Sequence, residues 1–164
     1  MIRNFLYLII ILFLISSCSR RTHLNDSELE EAKRAVVISH DVTSYVDLEF
    51  YYTDQCPELY MEQLPYDLIM CKANVGSSCY NFYVNYLIVC NSGKFDKASI
   101  SKLNKPEQDF LLYILNKGAL LGNDHCRNYL YYYYKNGIVV RKDSLKADSI
   151  SKFFPEEYFD KVNL

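Results

Sequence analysis

The sequence predicts an all-α fold, an array of antiparallel helical hairpins. Apolar residues recur at spacings of three and four along most of the chain, as one face of a helix requires. Prolines stand where these stretches open and glycines where they close. A pattern of glycine, tyrosine-rich helix, glycine, loop, Lys-Ala and helix occurs twice, which is how a repeating array is recognised. The chain has 164 residues, half of them apolar, with 16 Tyr, 9 Phe and no Trp. That length fits one domain with a sizeable core. The net charge of −2 is too balanced for a nucleic-acid partner, and no basic patch is interleaved with aromatics.

The first residues stand apart from this domain. Arg3 precedes an apolar run of 11 residues, Phe5 to Ile15. A membrane-spanning helix needs roughly 20, so residues 1–17 read as a signal peptide. "ISSC", ending at Cys18, resembles the lipobox of bacterial lipoproteins. The resemblance implies cleavage after Ser17 and lipid on Cys18. It also implies membrane attachment through that lipid, with Ser19 compatible with the outer membrane of a Gram-negative envelope. Residues 18–26 are polar and read as a tether.

The domain proper spans residues 27–164. Ser27 and Glu30 fit a capping box, and Leu29, Ala32, Ala35 and Val36 form the stripe of the helix it opens. His40-Asp41 marks a break. Tyr45, Val46, Leu48, Phe50 and Tyr51 continue as a second helix, although their β-favouring residue types leave a strand as the alternative. Cys56-Pro57 then punctuates, and the N-terminal helices occupy 27–64. Pro65 opens the next helix, with Leu68, Ile69 and Ala73 as its stripe and Gly76 as its C-cap. Cys79, Tyr83, Tyr86, Leu87 and Cys90 share one face of the following helix, which Gly93 stops. Pro106, Glu107 and Asp109 suit a helix N-terminus, and Gly122 closes that helix. "NYLYYYYKNG" runs to Gly137. "KDSLKADSISKFF" is a shorter helix ending before Pro155, and the tail adds one turn.

Ala73–Gly76 and Ala119–Gly122 lie 46 residues apart and set the period. The second copy resembles the Sel-one-like repeat, a relative of the tetratricopeptide repeat. Counted from Gly122, the family's small residue, leucine, tyrosine and glycine fall on Cys126, Leu130, Tyr134 and Gly137. Val140, Asp143, Lys146 and Ala147 complete the pattern. Tyr131 and Val139 stand where the family often has glycine. The first copy, 65–103, is degenerate, and 104–154 is the better one. The resemblance implies an α-solenoid and a noncatalytic scaffold or adaptor role towards a protein partner. In such arrays the first helices line a concave surface, and Asn81, Asn85, Asn128, Tyr131, Tyr132 and Lys135 are the candidates for the face meeting that partner; packing of Tyr131 and Tyr132 on a neighbouring helix is the alternative. An immunity lipoprotein that neutralises a toxin reaching the periplasm is an alternative.

Five cysteines follow Cys18, an odd number in a compartment that permits disulfides. Cys71 and Cys79 flank a helical turn and are near enough in sequence to pair. The resemblance supports that pair, since cysteine-rich exported members staple adjacent helices at a similar spacing. Cys90 with Cys56 or Cys126, or free buried thiols, remain open. His23, His40 and His125 are scattered without metal-ligand spacing, so neither a metal nor another cofactor is expected. Ser99/Lys102 and Ser149/Lys152 repeat the Ser-x-x-Lys motif of penicillin-interacting enzymes. The companion motifs are absent, so a cell-wall or β-lactam hydrolase is the weakest reading.

Overall fold

The structure, a computed structural model, describes residues 23–153. The expected signal peptide, the expected lipidation at Cys18 and the expected C-terminal turn lie outside the described residues. Within them there are seven α-helices and no strand. They are α1 (Asp26–Ser39), α2 (Val42–Phe50), α3 (Leu64–Lys72), α4 (Gly76–Cys90), α5 (Lys105–Leu120), α6 (Asp124–Asn136) and α7 (Ser144–Ser151). The strand alternative for residues 45–53 is overturned. The segment is helical, and α2 runs on as a wider turn in which Cys56 N–H donates to Tyr51 O (2.8 Å). Short 3₁₀ helices cover Pro57–Gln63 and Lys97–Lys102.

The opening of α1 differs from expectation by two residues. Asn25 is the N-cap and Glu28 completes the capping box, in place of Ser27 and Glu30. The apolar pattern explains the choice. With Asn25 as cap, Leu24 and Leu29 fall at the two positions of a hydrophobic staple, and both join the same core cluster.

Three hairpins share one kind of joint. His40, Asn74 and Gly122 each take left-handed backbone (φ 54°, 70° and 87°), and the next residue is the N-cap of the following helix. Val75 N–H reaches back to Met70 O (3.0 Å) and Asn123 N–H to Gly118 O (2.9 Å), closing the preceding helix as such turns do. Gly76 is therefore not the C-cap that the spacing had assigned to it. It is the first residue of α4, and Asn74 takes the left-handed turn. A Cβ on Gly76 would stand 3.2 Å from Leu121 Cβ, because the second and third joints pack on each other.

The equivalent joints, Asn74 and Gly122, are thus 48 residues apart rather than 46. In this register the three units align. Four residues past the joint stand Ser44, Ser78 and Cys126; eight past, Leu48, Phe82 and Leu130; twelve past, Tyr52, Tyr86 and Tyr134. The eighth-place residue is buried in every unit. The third unit, headed by His40, is the one the glycine pattern did not mark.

Helices adjacent in sequence pack together, and alternate helices also meet, α1 with α3, α3 with α5, and α4 with α6. The core has two clusters. Leu29, Val36, Tyr45, Leu48, Tyr52 and Met70 belong to the first, between α1, α2 and α3. The second joins α3 through α6 around Tyr83, Leu87, Ile100, Leu111, Leu115 and Tyr133. Gly118 lets α5 approach closely, since a Cβ there would lie 2.4 Å from Cys126 Sγ. Cys71 in α3 and Cys79 in α4 are joined by a disulfide across the Asn74 joint, while Cys56, Cys90 and Cys126 are free.

Candidate interaction site

The side chains expected to face a partner separate into an internal set and a surface set. Asn81 and Asn85 turn inward from α4. Asn85 Nδ2 donates to Asp67 Oδ2 (2.9 Å), and Asn81 Nδ2 donates to Tyr45 Oη (3.0 Å). Tyr45 Oη in turn donates to Asp67 Oδ1 (2.8 Å), which also accepts from Gln63 Nε2 (3.1 Å). This network lies between the two core clusters and ties α2 and α3 to α4. Asp67, two residues after the Pro65 that opens the helix, is fully buried. Burial pushes its carboxyl up to about 7, against the opposing hydrogen bonds from Tyr45, Asn85 and Gln63. Asp67 and Asn85 were legible in principle. A carboxylate within the apolar stretch Leu64–Cys71 needs donors, and Asn85 on the next helix supplies one directly while Asn81 supports another through Tyr45.

Asn128 and Tyr131 are also buried, because α6 packs through that side. Lys135 is exposed; its Nζ donates to Tyr131 Oη (2.8 Å) and lies 5.0 Å from the ring centroid. Tyr132 is half-buried, edge-on to Tyr133, with Lys97 Nζ 4.1 Å above its ring. Four of the six expected residues therefore serve internal packing, and Tyr132 and Lys135 remain at the surface.

Beside Tyr132 lies an aromatic ledge that helical spacing alone did not reveal. Tyr80 of α4 stacks on His125 (4.7 Å) and on Tyr129 (6.2 Å), both of α6. Phe95, from the loop after α4, meets Tyr129 edge-on at 5.8 Å. His125 and Phe95 are exposed, and Tyr80 and Tyr129 are half-buried. Beneath the ledge, Tyr83 and Tyr133 hydroxyls bond to each other, and Tyr133 Oη also donates to Lys97 O (2.8 Å). Burial raises the pKa of both phenols, so they act as neutral hydrogen-bonding groups. The ledge thus stands on a rigid polar floor and offers flat rings and a cation.

Ser99 is buried and its hydroxyl donates to Asp96 O (2.6 Å); Ser149 donates to Lys146 O (2.8 Å). Burial pushes the Cys126 thiol up to about 12, away from the reactive thiolate. Among the described residues, no group of three or more His, Cys, Asp and Glu is placed to hold a metal ion, and no helix is long and apolar enough to cross a membrane. Comparison with family models, with curated proteins and with solved structures finds no match.

Proposed function

We propose that this chain is a noncatalytic protein-interaction module, a scaffold or adaptor held on the bacterial envelope by lipid on Cys18. The observation that carries the reading is the repeated hairpin joint, with the same small, large apolar and tyrosine places in three successive units. That arrangement supports the resemblance to Sel-one-like arrays, whose stacked units build an extended surface rather than a catalytic cleft. The ledge formed by Tyr80, Phe95, His125 and Tyr129, with Tyr132 and Lys135 beside it, is the surface assigned to the partner. Aromatic rings offer large contact area at low entropic cost, and tyrosine adds a polar tip.

The test is affinity capture of the full chain from crosslinked envelopes. A Cys18→Ala control shows which partners depend on the anchor, and incorporation of labelled palmitate should be lost in that control. One dominant partner, reduced about tenfold by Phe95→Ala with Tyr132→Ala at unchanged helical content, is the expected outcome. A partner set indifferent to both substitutions would remove the ledge from the site. No enriched partner at all would sink the adaptor reading.

A further inference from the structure

The charge of this molecule is divided along its length. Residues 26–67 hold eleven carboxylates against Lys33 and Arg34, whereas residues 68–153 hold twelve cations against six carboxylates. The first unit is an acidic end and the remainder a basic body, although the whole chain is nearly balanced.

Each end presents a depression of matching character. Between α1 and α2 lies a cavity of about 190 Å³ bordered by Glu31, Ala35, Ser44 and Asp47. One turn beyond Ala35 on the same side of α1, Ile38 is 73% exposed, an apolar knob in an acidic setting. At the other end, a groove of about 370 Å³ opens between α5, α6 and α7. Its apolar wall includes Leu120, Leu130, Ile150 and Phe153, and its cations are Arg127 and Lys146. Leu120 is 89% exposed and Phe153 63%. The cations are held in place. Arg127 pairs with Asp124 (2.7 Å) and lies 4.7 Å from the Phe153 ring, and Lys146 Nζ donates to Tyr134 Oη (2.6 Å). No carboxylate lines the groove itself among the described residues, and Asp124 approaches it only through its pair with Arg127.

We infer that the chain associates with itself head to tail, the acidic α1–α2 face of one copy seating in the basic α5–α7 groove of the next. The occupant is a second copy because the molecule supplies both halves of the contact. Ile38 finds an apolar wall in the groove, and Glu31 and Asp47 face Arg127 and Lys146. Such a contact uses different surfaces on the two copies, so it propagates into rings or filaments rather than closing as a two-fold dimer. Opposite charge also steers the two ends together and penalises head-to-head encounters. This goes beyond the adaptor reading, since it needs no foreign partner and does not use the aromatic ledge.

The test is sedimentation of the full chain in mild detergent at about 30 mM and about 500 mM salt, where screening lengths differ severalfold. The expected result is an average mass that rises with protein concentration at low salt and falls towards one protomer at high salt. Glu31→Lys with Asp47→Lys in one variant, and Arg127→Glu with Lys146→Glu in another, should each weaken association tenfold or more, on the order of the cost of placing like charges together. Mixing the two variants restores opposite charge at both contacts and should restore the larger species. Circular dichroism melting checks that each variant is folded, and the salt series on the unaltered chain stands if one is not. A single protomer at every concentration and salt would overturn the inference. So would association that survives either reversal in a folded variant, or a groove that binds only a foreign acidic chain.

Discussion

Asp67 shows how one residue links packing to pH. Its carboxyl is buried, and its titration is displaced from the usual acidic range to about 7 mainly by desolvation, with Glu49 adding to it. Its folded-state pKa is raised above the unfolded value. The fold therefore holds the proton more tightly, and this stabilisation is complete below about pH 4 and lost as pH rises through about 7. Denaturant unfolding should show stability falling by on the order of 2–4 kcal/mol over that interval through this group. Asp67→Asn should flatten the decline, and an unchanged pH profile in that variant would refute the assignment. Gly118 makes a second point at this scale. Alanine there gains helix propensity but drives Cβ to 2.4 Å from Cys126 Sγ and 3.0 Å from Cys79 Cβ. The net expectation is a loss of about 1–3 kcal/mol, partly recovered when Cys126→Ala removes the sulfur. The Cys71–Cys79 pair was readable from spacing and family resemblance together. The inward turn of Asn81 and Asn85 was not, because helical periodicity gives which residues share a face and not what that face meets.

At the scale of elements, the joints decide where helices begin. Gly122 could be read directly, since glycine is the ordinary left-handed residue at a helix end. Asn74 and His40 do the same work without being glycine, so the sequence pattern placed the first copy two residues late and left the His40 unit without a partner. The short 3₁₀ helix Lys97–Lys102 likewise stands where the better copy has the α-helix Ser144–Ser151, so equal motifs do not guarantee equal elements. A left-handed backbone costs a non-glycine residue about 1–2 kcal/mol, and glycine returns part of that through its own chain entropy. His40 is exposed and its φ is 54°. His40→Gly should therefore raise stability by about 0.5–1 kcal/mol, read as a higher melting temperature. A lower melting temperature would mean that the imidazole makes a compensating contact. The disulfide crosses the next joint, and Cys71→Ser should lower stability by about 2–4 kcal/mol under oxidising conditions and change little under reducing ones.

At the scale of the whole molecule, two apolar clusters are separated by a polar belt. Among the described residues the first cluster has seven buried residues and the second has twelve, so the α1–α2 unit has less burial to hold it than the α3–α6 body. The belt of Tyr45, Gln63, Asp67, Asn81 and Asn85 connects them through hydrogen bonds whose balance depends on the charge of Asp67. Ionising a buried carboxylate weakens the junction on the side with the smaller reserve. A structure opens first at the interface that is weaker than the rest. Amide exchange, corrected for its intrinsic pH dependence, should show protection in α1 and α2 falling between about pH 5 and about pH 8, while α5 and α6 keep theirs. Asp67→Asn should remove the difference between the two ends. Uniform loss of protection across all helices would instead make the molecule one cooperative unit, with the belt a bridge as strong as the cores it joins.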